Sequence, residues 1–366
     1  MLDLELLFQQ IANRCIAPGA GEKLLAGAIP HANLRPAAEK IRQISEHYLK
    51  GSTEEHSDVI TSPSHADAYA AYFLPINLFK FRRVLREIFP TDTGPLKILD
   101  VGAGPGTGSF AALSSLPGDH SITLVESNPH MRHVAEDLCA ALSLQKVEGV
   151  INLNDLEEEE RFELILVGNL LNELSVTDAQ RLLGRLVTKL AAQGTLLLLE
   201  PALKETTQLL MSHRDWLLES YTDLAPRFPC THSSPCPMRR ARADDWCHGT
   251  LTWEPPLLVR QLDELTGFNK HRIKFSAFAC SRGSSIPQGY RVLSDAERTN
   301  AGDTATVCGE DHCGPLTLFK RHRTEENSKF KRVRSLDIVT INPPPQGGSI
   351  GAESKVTPLV QRSHIG

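Results

Sequence analysis

A short apolar run, Lys97-Ile-Leu-Asp-Val101, gives way to Gly102-Ala-Gly104-Pro-Gly106-Thr-Gly108 and then to a helical pattern. Glycine at every second position lets the backbone turn through conformations that a side chain forbids, so a strand entering this segment ends in a tight loop and leaves as a helix. An acidic residue, Asp100, lies at the end of the strand. Strand, glycine turn and helix in that order put a ligand over the carboxyl edge of a parallel sheet, which restricts the chain to α/β architectures.

The flanking sequence points the same way. Ser121-Ile-Thr-Leu-Val-Glu126, a helical stretch from Pro129 to Leu142, Phe162-Glu-Leu-Ile-Leu-Val167 and Gly194-Thr-Leu-Leu-Leu-Leu-Glu200 follow the turn. Near-continuous apolar strands separated by helical periods form a parallel sheet covered on both faces, the doubly wound arrangement. The dinucleotide fingerprint Gly-x-Gly-x-x-Gly fails in both registers, because its third glycine would fall on Thr107 or Ser109, and a phosphate loop fails for want of Gly-Lys-Ser/Thr. Glu126 ends the second strand, 20 residues past Gly106, where a carboxylate accepts both hydroxyls of an adenosine ribose. These features point to S-adenosylmethionine, with Asp100, Gly102, Gly104, Gly106, Gly108 and Glu126 as its contacts and Asp155 as a candidate near the adenine. The fourth strand leads into Gly168-Asn-Leu-Leu-Asn-Glu-Leu174, where methyltransferases present the group that engages the substrate. Asn169, Asn172 and Glu173 are the candidates there to orient a base or ribose; capping of the next helix competes as an explanation, and the amine-methylating signature Asn/Asp-Pro-Pro-Tyr/Phe is missing from this loop.

Around this core the composition shifts. Leu4, Phe8 and Ile11, then Ala37, Ile41 and Ile44, recur at helical spacing and predict a helical N-terminal domain over 1–92. The core is expected over 93–285, with a cysteine-rich insertion at 226–250 whose Pro, Ser and Arg content predicts a loop. Short β-like runs between Arg272 and Thr340 predict the last sheet strands and a small basic β domain over 286–340, and Pro, Gly and Ser from 341 to 366 predict a disordered tail. A formal charge of −5 excludes a protein that coats nucleic acid by bulk electrostatics and leaves only local basic patches for that purpose. No run of 18 apolar residues occurs, and Met1-Leu-Asp-Leu-Glu5 lacks the basic start of a signal peptide, so a cytoplasmic protein without a membrane segment is expected.

Six of the eight cysteines, Cys230, Cys236, Cys247, Cys280, Cys308 and Cys313, lie after residue 229. In a reducing compartment such a set is read as metal-binding before disulfide-bonded. Cys230, Cys236 and Cys247 fall within 18 residues of a stretch with little else to fold around, and a metal would supply the missing ordering free energy. A fourth ligand must come from afar: Cys280, Cys308, Cys313, His232 and His248 are the candidates. No C-x2-C spacing occurs, and prolines beside the cysteines favour iron-sulfur ligation slightly over zinc.

Taken together, Ile98 to Gly108, Gly168 to Leu174, Leu197-Leu-Leu-Glu-Pro201, Pro229-Cys230 to Cys236-Pro237 and Asp245-Trp-Cys-His248 resemble the methyltransferase-like family associated with the small ribosomal subunit. The resemblance covers roughly residues 65 to 335. It implies a Rossmann-like class I S-adenosylmethionine methyltransferase core and a 4Fe-4S cluster on Cys230, Cys236, Cys247 and Cys308, with Cys313 in reserve for the last position and zinc as the alternative metal. It also implies association with the small ribosomal subunit and its rRNA, as a methyltransferase or as a non-catalytic assembly factor, and a monomer when free. On that footing, Lys320-Arg-His-Arg323 and the basic residues from Lys329 to Arg334 become the expected rRNA-facing strip, with Arg239, Arg240 and Arg242 as a second.

Overall fold

The computed structural model describes residues 1–49, 59–90, 93–241 and 246–359. Four helices open the chain: α1 (Leu4–Cys15), α2 (Ala20–Leu25), α3 (His31–Leu49) and α4 (Pro63–Ile88). The alternating core follows as β1 (Lys97–Val101), α5 (Thr107–Leu113), β2 (Ser121–Val125), α6 (Pro129–Ala141), β3 (Val147–Val150), β4 (Phe162–Gly168), α7 (Val176–Thr188), β5 (Leu190–Pro201) and α8 (Lys204–Ser220). Next come β6 (Leu224–Phe228), α9 (Met238–Ala241), β7 (Gly249–Thr252), α10 (Leu257–Thr266) and β8 (Arg272–Arg282). A second group of strands closes the chain: β9 (Tyr290–Val292), β10 (Glu297–Arg298), β11 (Gly302–Cys308), β12 (Cys313–Phe319), β13 (Ile338–Asn342) and β14 (Lys355–Pro358).

The first sheet has the order β3-β2-β1-β4-β5-β8-β6, with β7 paired to the outer half of β8. Strands β1 to β5 run parallel, and β8 lies antiparallel between β5 and β6. This is the Rossmann-like, doubly wound α/β arrangement that the sequence leads one to expect. Successive strand residues divide between two cores, as the pleat requires: Leu164, Leu166, Leu197 and Leu199 join the one built with α1 to α6 and α10, whereas Ile165, Val167, Leu196 and Leu198 join the one built with α7 and α8. Local signals set the helix starts. Pro129 opens α6 with Asn128 Oδ1 accepting from His130 N at 2.9 Å, and Ser175 Oγ accepts from Asp178 N at 3.1 Å to start α7.

The N-terminal helices bury their apolar faces in the same core as one side of the sheet, and α4 packs on α1, α3, α5, α6 and α10. The second sheet has the order β10-β11-β9-β13-β14, with β12 on the other side of β11, and a core of its own. Arg291, 1% exposed, ties β9 to the rest: it pairs with Glu87 of α4 at 2.6 Å, donates to Pro229 O at 2.7 Å and stacks over Phe228. Burial alone would raise the Glu87 carboxyl, but Arg291 and Arg83 hold it below its ordinary value.

Two expectations need correction. The proline-rich start of the 226–250 insertion is not a loop: Leu224, Pro226 and Phe228 point inward from an edge strand, with Pro226 opposite Cys280. An edge strand tolerates proline because one of its sides needs no ladder donor, so composition concealed the period-two pattern. The tail expected to be disordered from 341 onward instead forms β14, with Ile341 opposite Val356 and Val356 buried in the small core. Residues 360–366 of that tail lie outside the described residues.

Candidate cofactor turn and cysteine cavity

The glycine turn has the geometry its sequence demands. Gly102, Gly104 and Gly106 all take left-handed φ values, +64°, +55° and +88°. A Cβ on Gly104 would meet nothing within 4 Å, so this backbone faces open space, whereas a Cβ on Gly108 would stand 2.7 Å from Asp100 Oδ1. The two glycines therefore serve different ends, one an open cradle and the other a close helix-strand contact. Asp100 is turned away from the cradle: its Oδ2 accepts from Ser109 N at 2.7 Å and Ser109 Oγ at 2.8 Å, anchoring the start of α5. Burial pushes its carboxyl up to about 6.

Glu126 and the turn come together. Its Oε2 accepts from Gly104 N at 2.7 Å and its Oε1 from Asn128 N at 2.7 Å, so one carboxylate closes the gap between the ends of β1 and β2. Asp155 is exposed and caps its own turn, accepting from Asn152 N at 2.9 Å. Asn169 adopts φ +55°, a left-handed conformation that Asn tolerates better than most residues, and its N–H reaches Leu199 O at 2.8 Å. Asn172, with its amide oriented to donate, reaches Glu200 Oε2 at 2.7 Å, and Glu173 is exposed on the same loop.

Two features here went unnoticed in the sequence. Glu200 is 1% exposed and its Oε1 accepts from Leu170 N at 3.2 Å and Leu171 N at 2.9 Å, so with Asn172 it holds residues 170–172 of the loop; burial pushes its carboxyl up to about 8. A lone acid ending an otherwise apolar strand was the available signal. The other feature is a polar seam on α4. Tyr69 lies beside Asn169, Glu173 and Glu126, its hydroxyl 3.5 Å from Asn77 Nδ2, and burial raises that hydroxyl well above its ordinary value. Asn77 Oδ1 in turn accepts from the buried Lys80 at 2.8 Å, whose ammonium is pushed down to about 7 by burial and, less, by Lys270. Helix α4 thus faces the carboxyl edge with polar side chains amid residues that read as ordinary packing.

The cysteines converge behind the sheet. Cys230, Cys236, Cys247 and Cys308, with His232, line one cavity. Arg214 of α8, fully buried, donates to His232 O at 2.7 Å and Ser234 O at 2.8 Å, and Asp215 accepts from Cys236 N at 3.0 Å, so two adjacent helix residues order the loop. Cys308 Sγ stands 3.9 Å from His232 Nε2 and faces Cys313 across the β11–β12 hairpin, while Cys280 is buried within β8 between β5 and β6. Burial pushes the Cys236 thiol up to about 11. Among the described residues, no three His, Cys, Asp or Glu side chains stand at the spacing that holds a metal ion.

On the small sheet, Lys320, Arg321, Lys329, Lys331 and Arg332 are exposed on two short helical turns, whereas Arg323 pairs with Asp303 and Arg334 with Asp295 at 3.4 Å. Arg239 pairs with Asp215 at 2.9 Å; Arg242 and the side chain of Arg240 lie outside the described residues. No described helix is long and apolar enough to cross a membrane.

Known proteins resemble this chain at several levels. The mitochondrial Rsm22-cox11 tandem proteins 1 and 2 of Schizosaccharomyces pombe are each 28% identical over 157 residues, 38% of this chain and 21% of theirs. The chain therefore spans about a fifth of the length of these curated relatives. Similar solved structures include a precorrin-6y C5,15-methyltransferase from Geobacter metallireducens, 15% identical over 56% of this chain and 87% of that one with a TM-score of 0.34. A SAM-bound amino pentose methyltransferase from Micromonospora echinaspora is 16% identical over 45% of this chain and 58% of that one, with a TM-score of 0.29. The family described as mitochondrial small ribosomal subunit Rsm22 matches residues 63–337, from the first residue of α4 to the residue before β13, and the chain belongs to it.

Proposed function

We propose that this chain binds S-adenosylmethionine at its glycine turn and acts in the cytoplasm on the small ribosomal subunit through its rRNA, as a methyltransferase-like protein. The observation that carries this reading is the meeting of Glu126 with the turn, its carboxylate 2.7 Å from Gly104 N beside a backbone that faces open space. When bound, S-adenosylmethionine supplies an electrophilic methyl group. Glu126 would trade its bond to Gly104 N for the ribose hydroxyls, and Gly104 would admit the adenosyl group against bare backbone. Asn169, Asn172 and Tyr69 offer neutral donors and acceptors, which suit orienting the edge of an unstacked base or a ribose. Glu200 sets the height of that loop through Leu170, Leu171 and Asn172.

A non-catalytic assembly factor is the second reading, favoured by the way Asn172 and Glu200 satisfy each other and leave no evident base. The two part on rRNA methylation in a deletion strain. The enzyme reading expects one small-subunit methyl group to vanish and to return with the wild-type gene but not with Gly104→Val. A full complement of methyl groups alongside accumulated immature subunits would overturn it in favour of the second.

Either reading includes a metal centre on Cys230, Cys236, Cys247 and Cys308. Its support is the donor set, four thiols around one cavity, two of which, Cys230 and Cys236, flank a loop held by Arg214 and Asp215. We assign it to a 4Fe-4S cluster with a structural role, zinc being the alternative, because irregular cysteine spacing with adjoining prolines suits iron-sulfur ligation. The exposed basic residues from Lys320 to Arg332 are the proposed rRNA face of the small sheet.

A further inference from the structure

One buried cation in α4 lacks what buried cations require. Arg82 is 4% exposed, yet its Nε and Nη1 are inaccessible to water and meet no hydrogen-bond acceptor among the described residues. Leaving a guanidinium in that state is costly unless an anion completes it. Three neighbouring cations are served: Arg83 and Arg291 share Glu87, while Arg227 donates to Ile88 O at 3.0 Å and to Ser284 Oγ at 3.1 Å. Arg86, one turn after Arg82 on the same side of the helix, is half-buried and likewise has no hydrogen-bond or ion-pair partner among the described residues. Like charge is thus brought together where repulsion alone would separate it, and burial with the neighbouring Arg86 lowers Arg82 to about 10. The plane of Arg82 is fixed by the Phe79 ring, 5.1 Å below it, and Phe79 is backed by Trp253 at 4.5 Å. Stacking holds the face of the guanidinium and leaves its N–H edge to an in-plane acceptor.

We propose that Arg82 and Arg86 form an anion site that takes a phosphate group, through the small part of Arg82 that stays exposed and the half-buried head of Arg86. A planar guanidinium edge matches two phosphate oxygens, and a second cation one turn away shares the charge. Resting on the RNA reading above, the source of that phosphate is the backbone of an RNA strand, with free phosphate as the other source of the same chemistry. This site lies on the core, apart from the basic turns of the small sheet.

The full-length chain tests it in two arms, with wild type, Arg82→Met and Arg86→Met. In the first, melting temperature is measured in sodium phosphate against sodium chloride at matched ionic strength. Phosphate should raise the wild-type melting temperature by more than the general salting effect it has on either variant, and Arg82→Met should melt in chloride no lower than wild type because it removes an unpaired buried charge. Equal phosphate stabilisation in all three proteins would overturn the site; so would an Arg82→Met protein that melts well below wild type while Arg86→Met keeps the full phosphate effect. The second arm titrates a labelled single-stranded RNA oligonucleotide across sodium chloride concentrations. Each variant should bind roughly tenfold more weakly, with a salt slope shallower by about 0.7. Variants that lose the phosphate effect but bind RNA like wild type would assign the site to free phosphate and overturn the RNA source. A wild-type chain that binds no RNA would defeat the RNA reading of the function, while the phosphate arm would still decide the site.

Discussion

Single residues in this chain carry charge states that their surroundings impose. Lys80 is the clearest: an unfolded lysine keeps its proton to about 10.5, while the buried one gives it up near 7. Between those values the unfolded chain binds the extra proton, so stability should rise as pH climbs from about 7 to 10.5. Lys80→Met should remove that rise and be more stable than wild type at neutral pH, measured by urea unfolding at several pH values; a wild type whose stability is flat over this interval would refute the assignment. Residue-level roles were only partly legible beforehand. The sequence identified Asp100 as acidic and at the strand end, but not that its carboxylate would turn inward to Ser109 N and Oγ, because direction is decided by the packing of α5 rather than by position in the chain. Tyr69 and Asn77 were hidden for a related reason: Tyr69 reaches Asn169, and Asn77 reaches Tyr69, from a helix that precedes the sheet, and nothing local in an aromatic stretch announces such a contact.

Among the elements, the loop after β4 depends on one side chain of β5. Glu200 should stay protonated in the folded chain up to about 8, against 4.5 for an ordinary glutamic acid, so the folded state holds the extra proton and stability should fall as pH rises between those values. Glu200→Gln, which keeps the shape and drops the titration, should flatten that fall. Glu200→Ala should cost about 1–3 kcal/mol, because Leu170 N and Leu171 N lose a buried acceptor. Equal pH profiles for Glu200→Gln and wild type would contradict this account. Elements with strong local patterns were the ones the sequence displayed: the β1 turn, the Asn128-Pro129 start of α6, the apolar runs of β4 and β5. β6 and β14 were not displayed, since proline and glycine content outweighed a period-two pattern only a few residues long.

At the scale of the whole molecule, two sheets with separate cores meet through Arg291, Glu87 and the cysteine loop that starts at Pro229. A metal centre bridging Cys230, Cys236 and Cys247 with Cys308 of β11 would staple them, and the ordering of that loop would depend on it. Chain purified without air is expected to be brown, with broad absorbance near about 400 nm, and to lose several degrees of melting temperature on chelation of its metal. A colourless protein holding stoichiometric zinc would refute the iron-sulfur assignment while keeping the site. The class of fold was readable from the alternation of strands and helices, whereas the joining of the small sheet to the core was not, because it rests on Arg291, a buried arginine whose partners Glu87, Pro229 and Leu336 are scattered along the chain. The claim on which the rest depends is that the glycine turn holds S-adenosylmethionine. Calorimetric titration of the full chain with S-adenosylmethionine, wild type beside Gly104→Val and Glu126→Ala, tests it directly: the account predicts one saturable site in wild type, none in Gly104→Val and at least tenfold weaker binding in Glu126→Ala, with folded variants by circular dichroism, and undiminished affinity in folded Gly104→Val would contradict it.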